Sequence, residues 1–331
     1  MRKMKMKMIA KLIVVLMLGT AILVGCSSTK ETIGQEKIKI GISQIVEFAA
    51  LDDNRKGFLK ALEDNGYIEG TNLEVDYQNA QGDLTTSQTI AKQFASQNKD
   101  LIFAIATPSA QAAYNATKDI PILISAVTDP VAAGIVKSLE KPDTNVSGTS
   151  DYVPVESQLD LIKIFAPEAK RIGVLYNTSE INSEIQVKQL KEYSNKNGYE
   201  VITVGITSTN EVNQAISSLV DKIDVLFVPT DNLVVSSMPL IAQKTLEKKI
   251  PIIASETGSV EAGALASQGI NYYQLGYKTG EMAVRVLKGE DISKMPVSTA
   301  TETKISVNED HLKALAIEKP DNKDIEYVKT K

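Results

Sequence analysis

The chain has 331 residues, of which 43% are hydrophobic and 23% charged, so it can bury two ordinary cores and is neither disordered nor collagen-like. It has one Cys, one His and no Trp, which excludes a disulfide framework and a structural zinc site with about four Cys and His ligands. The formal net charge is −5, and an acidic chain is a poor partner for nucleic acid.

Residues 1–25 are typical of a secretory signal peptide. Five basic and no acidic residues lie between residues 2 and 11, and an uncharged run from Leu12 to Gly25 follows, too short for a stable membrane span. Leu23-Val24-Gly25-Cys26 resembles the lipobox of bacterial lipoproteins, in which the Cys becomes a lipid-carrying N-terminus; the alternative is a free Cys after an uncleaved anchor. We therefore expect lipidation of Cys26, with residues 26–37 as a tether to the outer face of the bacterial cytoplasmic membrane. Cleavage would leave 31 basic and 41 acidic residues, a net charge near −10.

From residue 38 onward, short apolar runs alternate with stretches of helical periodicity, which is typical of a parallel α/β fold. The first helix is predicted to place Leu51, Phe58, Leu59 and Leu62 on one face and to end at Gly66 as a left-handed cap. The strands predicted in this half of the chain are Ile38–Ser43, Leu73–Tyr77, Leu101–Ala106 and Ile120–Ser125.

The second half of the chain repeats this design. Four matches occur in the same order, and the alternative, two generic α/β stretches that share common dipeptides, is the weaker interpretation. We therefore predict two similar lobes, each with a parallel sheet flanked by helices, and a hinge between them. The matches pair Ile40-Gly41 with Ile172-Gly173, Asn65-Gly66-Tyr67 with Asn197-Gly198-Tyr199, Asp100-Leu101-Ile102-Phe103 with Asp224-Val225-Leu226-Phe227, and Ile120-Pro121-Ile122 with Ile250-Pro251-Ile252.

The predicted lobe boundaries follow from this repeat. Lobe 1 is expected to comprise residues 38–148 and 272–290, and lobe 2 residues 149–271 and 291–331. The chain would cross between the lobes at residues 143–152 and 269–273, where Gly148 and Gly269 would absorb a hinge rotation. Ligands of open parallel sheets bind at the carboxyl ends of the strands, so two facing lobes would enclose a ligand and close on it.

Polar loops follow the predicted strands of both lobes. They contain hydroxyls, amides and a few acids but no Lys, Arg or His, and the chain has no GxGxxG or GxxxxGK[ST] motif. This composition favours a neutral or zwitterionic small molecule over a phosphate, although each single residue could instead serve ordinary capping and turns. We predict no catalytic residue, no cofactor and no metal. The candidate ligand-binding residues are Glu47, Phe48, Thr107, Ser109, Ala110, Thr128, Asp129, Tyr152, Asn177, Ser179, Asn182, Thr230, Asp231, Asn232 and Glu256.

Five of these stretches in combination resemble one family, the ABC-transporter substrate-binding lipoproteins that include tryptophan- and tyrosine-type binding proteins. The resemblance covers residues 38–317 and implies a type 1 periplasmic-binding fold, an amino acid ligand that is often aromatic, and delivery to a membrane permease and its ATPase. The family tends to have His-Pro where this chain has Phe48-Ala49, which would reshape the side-chain pocket. The stretches are Ser43-Gln44-Ile45-Val46-Glu47, Thr107-Pro108-Ser109-Ala110-Gln111, Val127-Thr128-Asp129-Pro130, Tyr176-Asn177-Thr178-Ser179-Glu180 and Pro229-Thr230-Asp231-Asn232.

A zwitterionic ligand needs partners for both charged groups once water is expelled. We expect its carboxylate at the start of the helix after Thr107, where Ser109, the Ala110 N–H and Thr128 offer donors, since helix N-termini favour anions.

The ammonium group needs an acid across the cleft. Asp231 is the first candidate, with Glu47 and Glu256 as alternatives, although Asp231 could instead only cap the helix that follows it. Phe48 and Tyr152 would stack on an aromatic side chain.

Other functions compete with a monomeric, lipid-anchored receptor of an importer. The same fold could be a sensor that presents its ligand to a signalling partner, or it could bind another small polar solute such as a nucleoside or a sugar. An enzyme is the weakest alternative: Glu47, Asp129, Asp231 and Glu256 would have to converge as carboxylate pairs about 5–9.5 Å apart. A DNA-binding regulator is excluded by the export signal and by the lack of a helix-turn-helix before residue 38.

Overall fold

The structure is a computed structural model that describes residues 37–300 and 302–331. The predicted signal peptide, the lipidation of Cys26 and nearly all of the tether lie outside the described residues and stay predictions. Among the described residues, no helix is both long and apolar enough to cross a membrane.

The first lobe is built on a six-stranded sheet in which every pair of strands is parallel. The four predicted strands are present, with ends that shift by up to two residues. All five residues of the central strand at 101–105 are fully buried, because helices cover both faces of the sheet. A strand buried on both faces is a continuous apolar run in the sequence. The elements of this lobe are β1 (Ile38–Gln44), α1 (Ala49–Asp64), β2 (Leu73–Asn79), α2 (Leu84–Ser96), β3 (Leu101–Ile105), α3 (Thr107–Ala116), β4 (Ile122–Ser125), β5 (Val146–Ser150), α10 (Tyr272–Leu287) and β11 (Ser298–Thr299), with strand order β11-β5-β4-β3-β1-β2.

The second lobe is built on a seven-stranded sheet with apolar clusters on both faces. Its strands pair in parallel except for one antiparallel pair at residues 266–269 and 304–307, so the prediction of an α/β fold with two similar, parallel-rich lobes is confirmed. The elements are α4 (Val155–Phe165), β6 (Arg171–Asn177), α5 (Ile181–Asn197), β7 (Glu200–Ile206), α6 (Val212–Leu219), β8 (Val225–Val228), α7 (Asn232–Ser236), α8 (Met238–Glu247), β9 (Ile252–Ala254), α9 (Gly258–Glu261), β10 (Ala266–Gly269), β12 (Lys304–Asn308), α11 (Glu309–Leu315) and β13 (Ile325–Val328), with strand order β13-β12-β10-β9-β8-β6-β7.

The sequence repeat has a structural counterpart at the start of each sheet. The Asp100 carboxylate accepts a hydrogen bond from the Lys39 N–H at 2.7 Å, and Asp224 accepts one from the Lys170 N–H at 2.9 Å. In each lobe, the acid before the third strand thus fixes the beginning of the first strand, because a buried or half-buried N–H needs a partner.

The chain crosses between the lobes three times, at 151–154, 270–271 and 300–303, with residue 301 outside the described part. Two details differ from the expected boundaries. Gly148 lies inside β5, where a Cβ would come within 2.0 Å of the Ile124 carbonyl oxygen, so it permits close strand packing and is not a hinge.

The final crossing also comes later than expected. Ser298 pairs with Thr149 in the first sheet, and Ile292 and Met295 are buried in the first lobe's core. The segment 291–299 therefore belongs to lobe 1, because its apolar side chains complete that core, and only β12 onward belongs to lobe 2.

Helix α10 returns to the first lobe and packs closely on α1. A Cβ on Gly276 would lie 1.8 Å from the Asn54 carbonyl oxygen, and one on Gly57 would lie 2.0 Å from that of Tyr273. Glycine is required at both positions because the two backbones touch. This contact fixes the beginning of α10, and with it Tyr272, beside the space between the lobes.

Candidate ligand-binding site

The carboxyl ends of the central strands of both sheets face a small cavity between the lobes. The cavity encloses about 20 Å³, room for about one water-sized sphere. The Thr128 and Thr230 hydroxyls share a hydrogen bond of 3.0 Å across it, so the lobes are closed on each other. The lining residues are Phe48, Leu51, Ala126, Thr128, Asp151, Asn182, Thr230, Asp231, Asn232, Val235, Glu256 and Tyr272.

The wall from the first lobe is held in an unusual backbone conformation. Ala126 directly follows β4 with φ 56°, and Ala106 directly follows β3 with φ 74° and ψ 158°. Non-glycine residues in such regions cost about 1–3 kcal/mol each, and they persist where the surrounding structure over-determines them, often at binding sites. Ala126 itself lines the cavity, and Thr128 two residues later reaches across it.

Phe48 stands where the two lobes meet. It is half-buried, precedes the first turn of α1, and packs against the apolar clusters of both lobes. Together with Leu51 and Val235 it supplies the apolar part of the lining.

The wall from the second lobe is organised around Glu180, which the sequence did not single out. Its buried carboxylate accepts hydrogen bonds from the side-chain amides of Asn177 at 3.1 Å and Asn182 at 3.0 Å, and from both the backbone and the side chain of Asn232. This carboxylate is satisfied by amides alone, so it joins the loop after β6 to the loop after β8 without a cation.

Asp231 is fully buried and caps α7. One oxygen accepts from the Val234 N–H at 2.9 Å and the other from the Asn177 N–H at 2.5 Å. Burial, with the charge of Glu180 second, raises the pKa of Asp231 to about 7. Asp231 thus lines the cavity, but both of its oxygens already have backbone donors, which favours the capping role that the sequence left open.

Two further acids, Asp151 and Glu256, line the cavity. Burial raises the pKa of each carboxyl group, and the charge of Asp151 raises that of Glu256 further. Burial and the same two acids raise the pKa of the Tyr272 hydroxyl well above its usual value. Among the described residues, no Lys, Arg or His lines the cavity, so its acids lack a cationic partner from the protein.

The structure brings seven of the fifteen candidate residues to the cavity and leaves eight outside its lining. Those at the cavity are Phe48, Thr128, Asn182, Thr230, Asp231, Asn232 and Glu256. Those outside it are Glu47, Thr107, Ser109, Ala110, Asp129, Tyr152, Asn177 and Ser179.

The residues outside the lining have other local roles. Glu47 is exposed and accepts from the Tyr77 hydroxyl at 2.8 Å, while Asp129 accepts from the N–H groups of its own loop. Tyr152 is 37% exposed, and Ser179 is also exposed.

The start of α3 is buried but does not reach the closed cavity. Thr107, Ser109 and Ala110 are all buried there, and the Ser109 hydroxyl has no hydrogen-bond partner among the described residues. No side chain caps this helix, but the Ala110 N–H already donates to the Ala106 carbonyl oxygen at 3.0 Å, so the expectation that it would bind the ligand carboxylate is not met in this closed state and the Ser109 hydroxyl is the donor that remains at this turn.

Two α/β lobes whose strand ends face a polar cavity define a solute-binding protein of the type 1 periplasmic-binding fold. The profile of the family described as "ABC transporter substrate binding protein" matches residues 39–329, so the chain belongs to that family. It is therefore a binding protein and not an enzyme.

The chain is similar to several characterised relatives. It is 57% identical to the tyrosine-binding protein of Clostridioides difficile strain R20291, over 98% of this chain and 97% of that protein. It is 39% identical to a Streptococcus pneumoniae ABC domain solved in complex with L-Trp, with a TM-score of 0.83 over 86% of this chain and 97% of the other.

A third relative superposes less well on this chain although its sequence is more similar. The ligand-free, open structure of a substrate-binding protein with adhesive properties from Clostridium difficile is 67% identical and covers 88% of this chain and 99% of its own. Its TM-score is only 0.68, lower than that of the L-Trp complex in spite of the higher identity.

Proposed function

We propose that this chain is the lipid-anchored, extracytoplasmic receptor of an ABC importer and that it binds an aromatic amino acid between its lobes. The observation that carries the proposal is the cavity itself, which both lobes line and which combines buried acids with an apolar surface. A ligand that bears an ammonium group and an apolar side chain complements such a lining. The relatives that are named for tyrosine or solved with L-Trp support an aromatic amino acid.

Binding requires the cleft to open. A cavity of about 20 Å³ has no room for an amino acid, so the hydrogen bond between Thr128 and Thr230 must break before a ligand enters. The lower TM-score against the open relative is what a different lobe arrangement would produce, since each lobe can match well while the whole does not. Closure on a ligand would then be a hinge motion about the three crossings.

The apolar end of the cavity favours a ring. Phe48, Leu51 and Val235 would contact the side chain. The ligand carboxylate would lie at the first turn of α3 once the cleft widens, near the Ser109 hydroxyl, which no described residue engages in a hydrogen bond.

Membership of the family supports delivery to a permease and its ATPase, and the signal-like pattern of the first 26 residues supports export. An uptake assay in cells that lack the gene tests delivery: labelled tyrosine or tryptophan should enter more slowly and recover on complementation. Unchanged uptake of both would favour a sensing role.

Isothermal titration of the detergent-solubilised full chain tests ligand binding. We expect saturable, one-to-one binding of L-tyrosine or L-tryptophan, and much weaker binding of L-aspartate and L-lysine, whose charged side chains would be buried without a partner. Absence of binding by every aromatic amino acid, after removal of any copurified ligand by unfolding and refolding, would refute the proposal.

A further inference from the structure

Within the described part of the chain, Asp151 is the one acid lining the cavity with an oxygen that has no hydrogen-bond partner. It is the first residue after β5, on the first crossing between the lobes, and its side chain is 4% exposed. One oxygen accepts a hydrogen bond of 2.9 Å from the Tyr272 hydroxyl. The other is buried and has no hydrogen-bond partner among the described residues. The Thr128 hydroxyl lies near Asp151 and shares a hydrogen bond with the Thr230 hydroxyl in which either oxygen can be the donor, but it makes no hydrogen bond of normal geometry to the second Asp151 oxygen.

The other acids at the cavity are already satisfied. Both oxygens of Asp231 accept backbone N–H groups. In Glu256, one oxygen accepts from the Gly258 N–H at 2.7 Å and the other from the Ser259 hydroxyl. A buried carboxylate oxygen without a donor is unfavourable, so Asp151 is where an incoming donor gains most.

Asp151 and Glu256 belong to different lobes. Asp151 is continuous with β5, and its partner Tyr272 begins α10, which packs on α1 in lobe 1. Glu256 follows β9 in lobe 2. When the lobes close, the two acids line one cavity, and like charges brought together out of water repel unless a proton or a cation lies between them.

We propose that Asp151 binds the primary ammonium group of the ligand and that this ammonium, lying between Asp151 and Glu256, holds the two lobes closed. The inference rests on the proposed function, since it needs a ligand with an ammonium group in this cleft. A primary ammonium has three N–H donors and can therefore serve the free oxygen of Asp151 and the Glu256 carboxylate together. The ligand is then first held on the lobe 1 side, by Asp151, and closure adds Glu256.

A ligand that lacks the ammonium tests this directly. The probes are L-tyrosine with its desamino analogue 3-(4-hydroxyphenyl)propionate, and L-tryptophan with indole-3-propionate. In the wild-type full chain, loss of the ammonium should weaken binding by about 30-fold or more, the lower end for removal of one partner from a buried charge pair. In Asp151→Asn, the amino acid and its desamino analogue should bind within about fivefold of each other, because the main acceptor of the ammonium is gone and only Glu256 remains.

Matched variants separate this role from a structural one. An Asn at position 151 still accepts the Tyr272 hydroxyl, so the fold should be kept. Asp129→Asn makes the same change in the loop after β4, where the side chain caps its own turn, and should keep full discrimination. Glu256→Gln should reduce discrimination by a smaller factor, and it provides the test if Asp151→Asn does not fold.

The outcomes distinguish the two proposals. If the wild type binds none of the aromatic amino acids, the proposed function fails and the inference falls with it. If the wild type binds tyrosine or tryptophan but Asp151→Asn discriminates against the desamino analogue as strongly as the wild type, only the inference is overturned. If Asp151→Asn is unfolded, and Glu256→Gln discriminates between the amino acid and its desamino analogue as strongly as the wild type, the inference is overturned as well.

Discussion

Raising the pH from 5 to 8 is expected to destabilise the ligand-free protein, because it ionises carboxyl groups that the fold buries. Asp231 is the most informative of these groups, because both of its oxygens have known hydrogen-bond donors and the value of its raised pKa is known. Its pKa is raised in the folded state, so the folded protein holds a proton that the unfolded chain releases at lower pH. The stabilisation is therefore complete below the unfolded pKa and is lost as the pH rises through the folded pKa.

The size of the effect follows from the shift. The pKa of Asp231 rises from 3.8 to about 7, and each unit corresponds to about 1.4 kcal/mol, so the total is on the order of 4 kcal/mol. About 2 kcal/mol of this is lost between pH 5 and 7. For a folded part of this size, that corresponds to a fall in Tm of roughly 4 °C. Asp151 and Glu256 act in the same direction, whereas His311, whose pKa is lowered by burial, acts in the opposite direction.

Thermal melts of the wild type and of Asp231→Asn at pH 5, 6, 7 and 8 isolate the contribution of Asp231, since all other groups are common to both. The variant should be less stable at pH 5 by about 1–3 kcal/mol, because its amide NH2 faces the Asn177 N–H. Its Tm should fall less steeply than that of the wild type as the pH rises. Asp129→Asn, an exchange in a loop outside the cavity, should keep the wild-type slope. Equal slopes for Asp231→Asn and the wild type would refute the explanation.

Two further predictions concern packing and anchoring. Gly276→Ala should lower the free energy of unfolding by at least about 3 kcal/mol in urea titrations, because its Cβ would lie 1.8 Å from the Asn54 carbonyl oxygen. The control Lys278→Ala, on the exposed face of the same helix, should change the free energy of unfolding by less than about 0.5 kcal/mol. A Gly276→Ala protein as stable as the wild type would contradict the close contact of α1 and α10. Cys26→Ala should leave an unprocessed precursor or release the protein from washed membranes, as seen by fractionation and by the mass of the N-terminal peptide, and a variant that is still processed and membrane-bound would contradict lipidation at Cys26.

Much of the fold could be predicted from the sequence because it depends on local patterns. Apolar runs such as 101–105 are strands in a sheet covered on both faces, and each can be recognised from a few consecutive residues. The repeated acids Asp100 and Asp224 also preserve one structural role in both lobes. By contrast, Ser298–Thr299 forms a two-residue strand, too short to carry a pattern, so the end of lobe 1 was placed too early.

The site was less predictable because its members come from distant parts of the chain. Asp151 and Tyr272 are 121 residues apart and meet only because both crossings pass the same point. The sequence interpretation treated those crossings mainly as hinges: it named Tyr152 there as a ligand contact but neither Asp151 nor Tyr272. The sequence did contain an indication of Asp151: an acid that directly follows a small, uncharged strand such as Val146–Ser150 is unusual, because the strand is buried and its neighbours are normally uncharged too.

The capping of Asp231 and the role of Glu180 illustrate a second limit. Both residues stand in loops rich in acids and amides, where the sequence cannot say which acid faces the cavity and which one the loop uses for itself. The structure separates them by their donors: Glu180 is satisfied by three asparagines and Asp231 by two backbone N–H groups.

A crystal structure of the protein grown with L-tyrosine or L-tryptophan tests the central claim most directly. The ligand should lie between the lobes, with its ammonium within hydrogen-bond distance of the free Asp151 oxygen and of Glu256, and with its ring against Phe48. A ligand that contacts one lobe only, or that occupies a surface outside the cleft, would contradict the claim that both lobes close on an amino acid.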